Sequence, residues 1–88
     1  MASPKIALIT GAGTGVGKAA ALALAKEGYS LALAGRRKEP LEEVAAAAQA
    51  AGAKTLVVQA DVGNQAEVKA LFAKIKTTFG RLDLLFNN

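Results

Sequence analysis

The sequence TGAGTGVG, residues 10–17, is the most informative feature of this chain. It lies between an apolar run, Ile6 to Ile9, and an alanine-rich stretch with helical periodicity. Glycine has no Cβ, so a strand can turn sharply into a helix there and the backbone can approach a phosphate closely. The helix that follows offers unpaired N–H groups and a partial positive charge to the same anion. The stretch therefore predicts a phosphate-binding turn between a strand and a helix.

Short runs typical of strands alternate with longer helical runs along the 88 residues. We expect strands at residues 5–10, 30–35, 54–60 and 82–87, and three connecting helices. This alternation is typical of a parallel sheet covered by helices on both faces. Right-handed crossovers then predict the strand order 3-2-1-4, with a ligand crevice at the carboxyl ends of the strands. The predicted fold class is α/β, a Rossmann-type doubly wound parallel sheet.

The three helices carry recognisable end signals. The first should run from about Val16 to Glu27 and end at Gly28, with Tyr29 packed back on its last turn. The second should begin near Pro40 and end at Gly52, and the third should run from the N-cap Asn64 to Gly80. Glu67 would complete a capping box with Asn64. Residues at helical spacing predict buried stripes: Leu41, Val44, Ala45 and Ala48 in the second helix, and Val68, Leu71, Phe72, Ile75 and Phe79 in the third.

Composition excludes several classes of function. The chain has neither cysteine nor histidine, which argues against disulfides, thiolate or imidazole metal sites and catalytic triads. Its net charge is +4, but the basic residues are scattered and no aromatic residues interleave with them, so we expect no nucleic-acid partner. The apolar run near the N-terminus is too short for a signal peptide or a membrane span, so we expect a cytoplasmic protein with no membrane contact.

Three motifs in order resemble those of the short-chain dehydrogenases/reductases. The family signature Thr-Gly-x-x-x-Gly-x-Gly is matched by Thr10, Gly11, Gly15 and Gly17. Asp61-Val62, after the third predicted strand, looks like the family's adenine-contacting pair. The run from Leu82 to Asn88 is similar to the fourth strand that leads into the family's Asn-Asn-Ala-Gly motif. The resemblance covers essentially all of the chain, which would form the N-terminal part of a single NAD(P)-binding Rossmann domain over residues 1–88.

The resemblance also implies roles for individual residues. The diphosphate of the dinucleotide would lie against the backbone of the glycine-rich turn, at Gly11, Thr14, Gly15, Val16 and Gly17. Asp61, with Val62 beside it, would accept a hydrogen bond from the adenine amino group, and Asn87 would border the adenosine ribose. Each of the two polar residues has a structural alternative: Asp61 can form a turn after its strand, and Asn87 can tie neighbouring strands together.

The end of the second predicted strand bears on cofactor choice. An NAD site would place an acidic residue about 20 residues after the glycines, to bind the ribose 2′-hydroxyl. This chain has Arg36 and Arg37 there instead. A guanidinium group can bind a 2′-phosphate through two parallel hydrogen bonds. We therefore expect NADP in preference to NAD, the alternative being a solvated basic turn. Thr14 stands where some NADP-preferring relatives carry a second basic residue.

A competing motif overlaps the same turn. Ala12, four intervening residues and Gly17-Lys18 approach the phosphate loop of nucleoside triphosphatases. That loop needs a serine or threonine next, to bind magnesium, and position 19 is alanine. We therefore expect Lys18 to lie on a solvated helix face.

No catalytic residue can be assigned. The family transfers hydride between the nicotinamide and a carbonyl or alcohol substrate with a tyrosine, a lysine four residues later and a serine. The one tyrosine here, Tyr29, is followed by Leu33 at that spacing. Two accounts stay open: the chain begins an ordinary reductase, which could form a homo-oligomer, or it is a complete, non-catalytic nucleotide-binding or scaffold module. We favour the first, because the apolar run from Leu82 to Phe86 would otherwise be an unprotected sheet edge.

Overall fold

A computed structural model describes residues 5–13 and 15–87 of the chain. The strands and helices are, in chain order, β1 (Ile6–Thr10), α1 (Gly15–Lys26), β2 (Ser30–Gly35), α2 (Lys38–Ala50), β3 (Thr55–Gln59), α3 (Gln65–Phe79) and β4 (Leu84–Asn87). All strand pairs are parallel, and the sheet order is β3-β2-β1-β4. The predicted Rossmann-like fold class and strand order are both confirmed.

Several boundaries differ from the prediction by one residue, and two element starts differ by two residues. Helix α2 begins at Lys38, so Pro40 lies inside its first turn, where a missing N–H still costs nothing. Strand β4 begins at Leu84, two residues later than expected, because the segment before it forms a different contact with β1, described below. Among the described residues, no helix is both long enough and apolar enough to cross a membrane.

The two central strands are buried because helices cover both of their faces. Helices α1 and α2 pack on one face, and α3 packs on the other. The α1–α2 face buries Ile9 and Leu33, with the whole predicted stripe of α2 beneath them. The α3 face buries Leu8 and small alanine side chains. Alternate residues of one strand thus enter opposite layers of the core, as the period of a strand requires.

The end of α1 matches the prediction. The N–H of Gly28 donates to the carbonyl of Ala25 at 3.1 Å, and the N–H of Tyr29 donates to the carbonyl of Leu24 at 3.1 Å. This pair of bonds is the Schellman motif, which satisfies carbonyl groups left over at a helix end. The Tyr29 ring is half-buried against the core, which confirms its structural role.

Helix α3 departs from the prediction in two ways. Asn64 is its N-cap and accepts from the N–H of Glu67 at 3.1 Å, but the Glu67 carboxylate accepts from the N–H of Asp61 instead of completing a capping box. The predicted stripe is narrower too, since only Leu71 and Ile75 of α3 are buried and Phe72 is 40% exposed. In the described ranges α3 is the one helix on its face of the sheet, so nothing there covers the flank that carries Phe72.

The amino end of β1 is joined to the segment before β4 by Asp83. The N–H of Ile6 donates to Asp83 Oδ2 at 2.7 Å, and the N–H of Asp83 donates to the carbonyl of Ile6 at 2.9 Å. Arg81 Nη2 lies 2.6 Å from Asp83 Oδ1. The hydrogen bond from Arg81, and after it the one from Ile6, lowers the pKa of Asp83 below its usual range. Sequence analysis did not single out this residue.

Candidate functional site

The carboxyl ends of the four strands bring the predicted site residues to one edge of the sheet. Gly11 follows β1, Arg36 and Arg37 follow β2, and Asp61 lies two residues after the end of β3. Asn87 is the last residue of β4. Thr14, which the prediction also includes, lies outside the described residues, as does Asn88 of the third motif. The edge is therefore a meeting point of segments that are far apart in sequence.

A cleft of about 230 Å³ opens at this edge, between the loop after β1 and the start of α2. Its lining residues are Gly11, Gly13, Gly35, Arg36, Arg37, Pro40 and Leu41. Three of the seven are glycines, so backbone forms much of the wall. The two arginines supply positive charge, and α2 begins directly after them. Such a lining suits a negatively charged group that backbone must approach closely.

Gly13 is needed for close packing. A Cβ added to Gly13 would lie 2.7 Å from Pro40 Cβ, a separation that real side chains do not reach. The loop that carries Gly13 is also held to β2, since the N–H of Ala12 donates to the carbonyl of Ala34 at 3.4 Å. The sequence marked Gly13 as part of a turn, but its contact with α2 needs the tertiary structure.

The first turn of α1 begins at the glycine-rich stretch. Gly11 and Gly15 have φ values of 63° and 45°, a region that favours glycine. Gly17 is buried, whereas Val16 is 65% exposed. The early N–H groups of a helix have no partner within the helix. Lys18 is exposed, as predicted for a solvated helix face.

Arg36 and Asp61, predicted to bind different parts of a cofactor, lie close to each other. Arg36 Nε is 3.7 Å from Asp61 Oδ1, and their side chains are 80% and 43% exposed. An ion pair of this length and exposure contributes little to stability. Asp61 Oδ1 also accepts from the N–H of Gly63 at 2.9 Å. The turn-forming alternative for Asp61 is thus present in the structure, while its second carboxylate oxygen is left for other contacts.

Two side chains hold these loops: Gln59, which sequence analysis missed, and Glu67, for which it predicted a different contact. Gln59 Nε2 donates to the carbonyl of Arg36 at 2.9 Å, and Glu67 Oε1 accepts from the N–H of Asp61 at 3.1 Å. The backbone adds a bond from the N–H of Ala60 to the carbonyl of Gly35, at 2.8 Å. Only the pairing of β2 with β3 could have indicated the Gln59 contact, because it places Gln59 beside Gly35.

Asn87 ties two strands together. Its Oδ1 accepts from the hydroxyl of Thr10 at 2.8 Å, across the parallel pair of β1 and β4. The strand-tying alternative considered for Asn87 is therefore present. Val62 is about half exposed next to Asp61. No set of three or more metal-ligating side chains occurs within residues 5–13 and 15–87.

Comparison with known proteins agrees with this geometry. The sequence profile described as short chain dehydrogenase matches residues 5–88. YusS of Bacillus subtilis, named as a short-chain dehydrogenase/reductase homolog, is 42% identical over 85 residues, which are 96% of this chain and 78% of YusS.

Two solved structures illustrate the fold. NAD⁺-bound xylitol dehydrogenase has a TM-score of 0.93 at 37% identity, over 96% of this chain and 32% of that protein. YwfH, an NADPH dependent reductase involved in bacilysin biosynthesis, has a TM-score of 0.92 at 36% identity, over 98% of this chain and 37% of YwfH. Among other curated relatives, the chain spans about a third of their length, with shares from 30% to 36%.

Proposed function

Because this chain belongs to the short-chain dehydrogenase family, we propose that it binds the adenosine and diphosphate part of NADP(H). In this proposal, residues 1–88 are the N-terminal part of one NAD(P)-binding Rossmann domain. The intact enzyme would transfer hydride between the nicotinamide and a carbonyl or alcohol substrate. The cofactor supplies the hydride chemistry when it is bound. The residues of this chain would bind and orient the cofactor.

The diphosphate would lie against the glycine-rich turn. Gly11 lines the cleft, and the turn leads directly into the first turn of α1, at Gly15, Val16 and Gly17. N–H groups at a helix start donate to anions, and the helix dipole favours negative charge there. Val16 fits this role because its side chain is exposed instead of contributing to the core.

The preference for NADP(H) rests on one observation, the exposed guanidinium of Arg36 on the rim of the cleft. Its contact with Asp61 is long, so exchanging that contact for a 2′-phosphate costs little. Arg37 adjoins it on the same rim. The solved structures include both an NAD⁺-bound and an NADPH-dependent protein of this fold, so the fold does not select the cofactor. The residues after β2 are what support the choice.

The adenosine would extend from the cleft toward the ends of β3 and β4. Asp61 and Val62 would contact the adenine, with the carboxylate accepting from its amino group. Asn87 would border the ribose. Both Asp61 and Asn87 already make the structural contacts described above. We therefore assign each of them a cofactor contact in addition to a structural one.

Charge reversal at Arg36 tests the cofactor assignment. We expect Arg36→Glu to weaken NADP⁺ binding by about 1–3 kcal/mol more than NAD⁺ binding, because a charge-assisted contact is lost. Titration calorimetry with both dinucleotides measures the difference. Lys26→Glu is the matched control, since it reverses an exposed charge in the last turn of α1, away from the cleft. Equal losses for NADP⁺ and NAD⁺ would contradict the assignment.

A second candidate function is a short, non-catalytic nucleotide-binding module. It is favoured by YusS, of which this chain covers 78%, so a relative of nearly this length exists. The mass of the protein purified from its natural source separates the two candidates. A mass near 8.9 kDa, with dinucleotide binding and no turnover of alcohols or ketones, supports the short module. A larger mass with turnover supports the reductase.

A further inference from the structure

We propose that Gln59 is a positioning residue for cofactor preference, because it fixes the backbone from which Arg36 extends. The inference rests on the proposed function, in which Arg36 binds the 2′-phosphate. It adds a residue that does not touch the cofactor and acts through Arg36 alone.

Gln59 lies where β3 ends beside β2. Its backbone is in register with Gly35, and its Nε2 donates to the carbonyl of Arg36 at 2.9 Å. The next residue, Ala60, donates its N–H to the carbonyl of Gly35 at 2.8 Å. Two successive carbonyl groups, that of Gly35 at the end of β2 and that of Arg36 after it, are therefore held from β3 and the residue that follows β3. The side chain of Gln59 supplies the bond to Arg36, which lies one residue past the last backbone pair of β2 and β3.

The Arg36 side chain needs such support because its own contacts are weak. It is 80% exposed, and its ion pair with Asp61 is 3.7 Å long. Recognition of a phosphate by two parallel guanidinium bonds depends on direction as well as on charge. With a loosely held side chain, that direction depends on the position of the backbone. A fixed carbonyl at Arg36 restricts the backbone between Arg36 and Arg37.

The neighbouring helix does not replace this support. Arg37 is the N-cap of α2, has extended backbone, and makes no capping hydrogen bond through its side chain. The turn therefore enters α2 without the usual side-chain anchor at a helix start. Among the hydrogen bonds of the described residues, the bond from Gln59 is the side-chain contact made to this turn's backbone.

An amide is the suitable group at position 59. It donates to the Arg36 carbonyl without adding charge, whereas a carboxylate there could not donate and would repel a 2′-phosphate. The chain also contains a matched amide, Gln49, whose Nε2 donates to Thr55 Oγ1 at 2.6 Å. Both glutamines are exposed, and each bonds to a neighbouring segment, Gln49 to the start of β3 and Gln59 to the turn after β2. Gln49, however, bonds at the opposite end of β3 from the cleft.

The experiment compares Gln59→Met with Gln49→Met in the full chain, with NADP⁺ and NAD⁺ as the probes in titration calorimetry. Methionine keeps the length of the side chain and removes the donor. We expect Gln59→Met to weaken NADP⁺ binding about threefold to tenfold, the range one hydrogen bond is worth, and to leave NAD⁺ binding unchanged. Gln49→Met should leave both affinities unchanged. In an Arg36→Gln background, Gln59→Met should have no further effect on NADP⁺.

The results separate this inference from the proposed function. If the unsubstituted chain binds neither dinucleotide, or prefers NAD⁺, the proposed function fails and the inference fails with it. If the unsubstituted chain prefers NADP⁺ but Gln59→Met changes both affinities equally, or neither, only the positioning role is overturned. Thermal melting checks that each variant folds, and Gln59→Ala replaces Gln59→Met if the latter does not.

Discussion

The two ends of the central strand β1 are tied to the β4 segment by different chemistry. At the carboxyl end, the neutral hydroxyl of Thr10 bonds the amide of Asn87 at 2.8 Å. At the amino end, the carboxylate of Asp83 accepts a hydrogen bond from the N–H of Ile6. Arg81 Nη2 lies 2.6 Å from the other oxygen of the same carboxylate. One end thus uses a charge to hold the strands, and the other end does not.

This difference shows how the fold divides structural from binding roles. At the amino end, Arg81 and Asp83 form a close ion pair, and Asp83 also accepts a hydrogen bond from the backbone. At the carboxyl end, the charges of Arg36 and Asp61 stay exposed and loosely paired at 3.7 Å. An anionic ligand can displace a loose pair far more easily than a close one. The carboxyl end is therefore the end where charge is available for binding.

Among these predictions, adding a methyl group at Gly13, at the carboxyl end of the sheet, should change the stability of the protein most. The added methyl group of Gly13→Ala would lie 2.7 Å from Pro40 Cβ, so the loop or α2 must move. We expect a loss of about 1–3 kcal/mol in the free energy of unfolding, which is typical of overpacking. Urea denaturation measures it. Pro40→Gly removes the opposing atom but has its own cost as a glycine in a helix, so Gly13→Ala should cost less in that background than in the unsubstituted chain; equal costs in the two backgrounds would contradict this explanation.

The second prediction removes the neutral tie. Thr10 is buried, and Thr10→Val keeps its shape while losing the hydroxyl that bonds Asn87. We expect a loss of about 1 kcal/mol in the free energy of unfolding, the net worth of one hydrogen bond. In an Asn87→Ala background the same substitution should cost much less. Full additivity of the two substitutions would show that this contact does not hold the strands.

The third prediction uses acid to release the charged tie. The folded-state pKa of Asp83 is lowered, mainly by Arg81, so its ionised form stabilises the fold at pH values above the unfolded pKa of about 4. That stability should be lost progressively as pH falls from about 4 toward the lower folded value. Melting temperatures of the unsubstituted chain and Asp83→Asn, recorded from neutral to acidic pH, should converge below this range. A constant difference would contradict the assignment.

The smallest effect on stability is expected from Arg36→Gln, with Arg81→Gln as the same substitution at the amino end. Arg36→Gln removes a long, exposed pair and should change the free energy of unfolding by less than about 0.5 kcal/mol. Arg81→Gln removes a close pair and should lower the melting temperature measurably. For dinucleotide binding we expect the reverse order, with Arg36→Gln causing the loss. Equal stability effects of the two substitutions would contradict the division between a stabilising pair at the amino end and a loose pair at the carboxyl end.

The elements and their order could be predicted because local signals agreed along the chain. Glycine positions, the cap at Asn64 and the alternation of strand and helix runs all favoured the same α/β fold. The predicted burial of Phe72 in α3 was wrong, since this side chain is 40% exposed. Helical periodicity shows which way a side chain points, but it does not show whether another element covers it.

The contacts within the site were less predictable for a related reason. Arg36 and Asp61 could each be proposed from their position after a strand, but their mutual contact depends on how two loops meet. Asp83 and Ile6 are separated by 77 residues, and nothing local to either residue indicates their hydrogen bond. The contact of Gly13 with Pro40 depends likewise on how α2 packs against the glycine-rich turn after β1.

The strand order has a consequence for how the chain acquires its structure. Strand β1, the earliest of the four described strands, has β2 on one side and β4, the latest of the four, on the other. During synthesis, β1, β2 and β3 can assemble with α1 and α2 before β4 has left the ribosome. Until then, the β4 side of β1 is an open edge whose partner is yet to be made. Closing a loop of this length is slow relative to local helix formation, so the window for mispairing falls at the β4 side of β1.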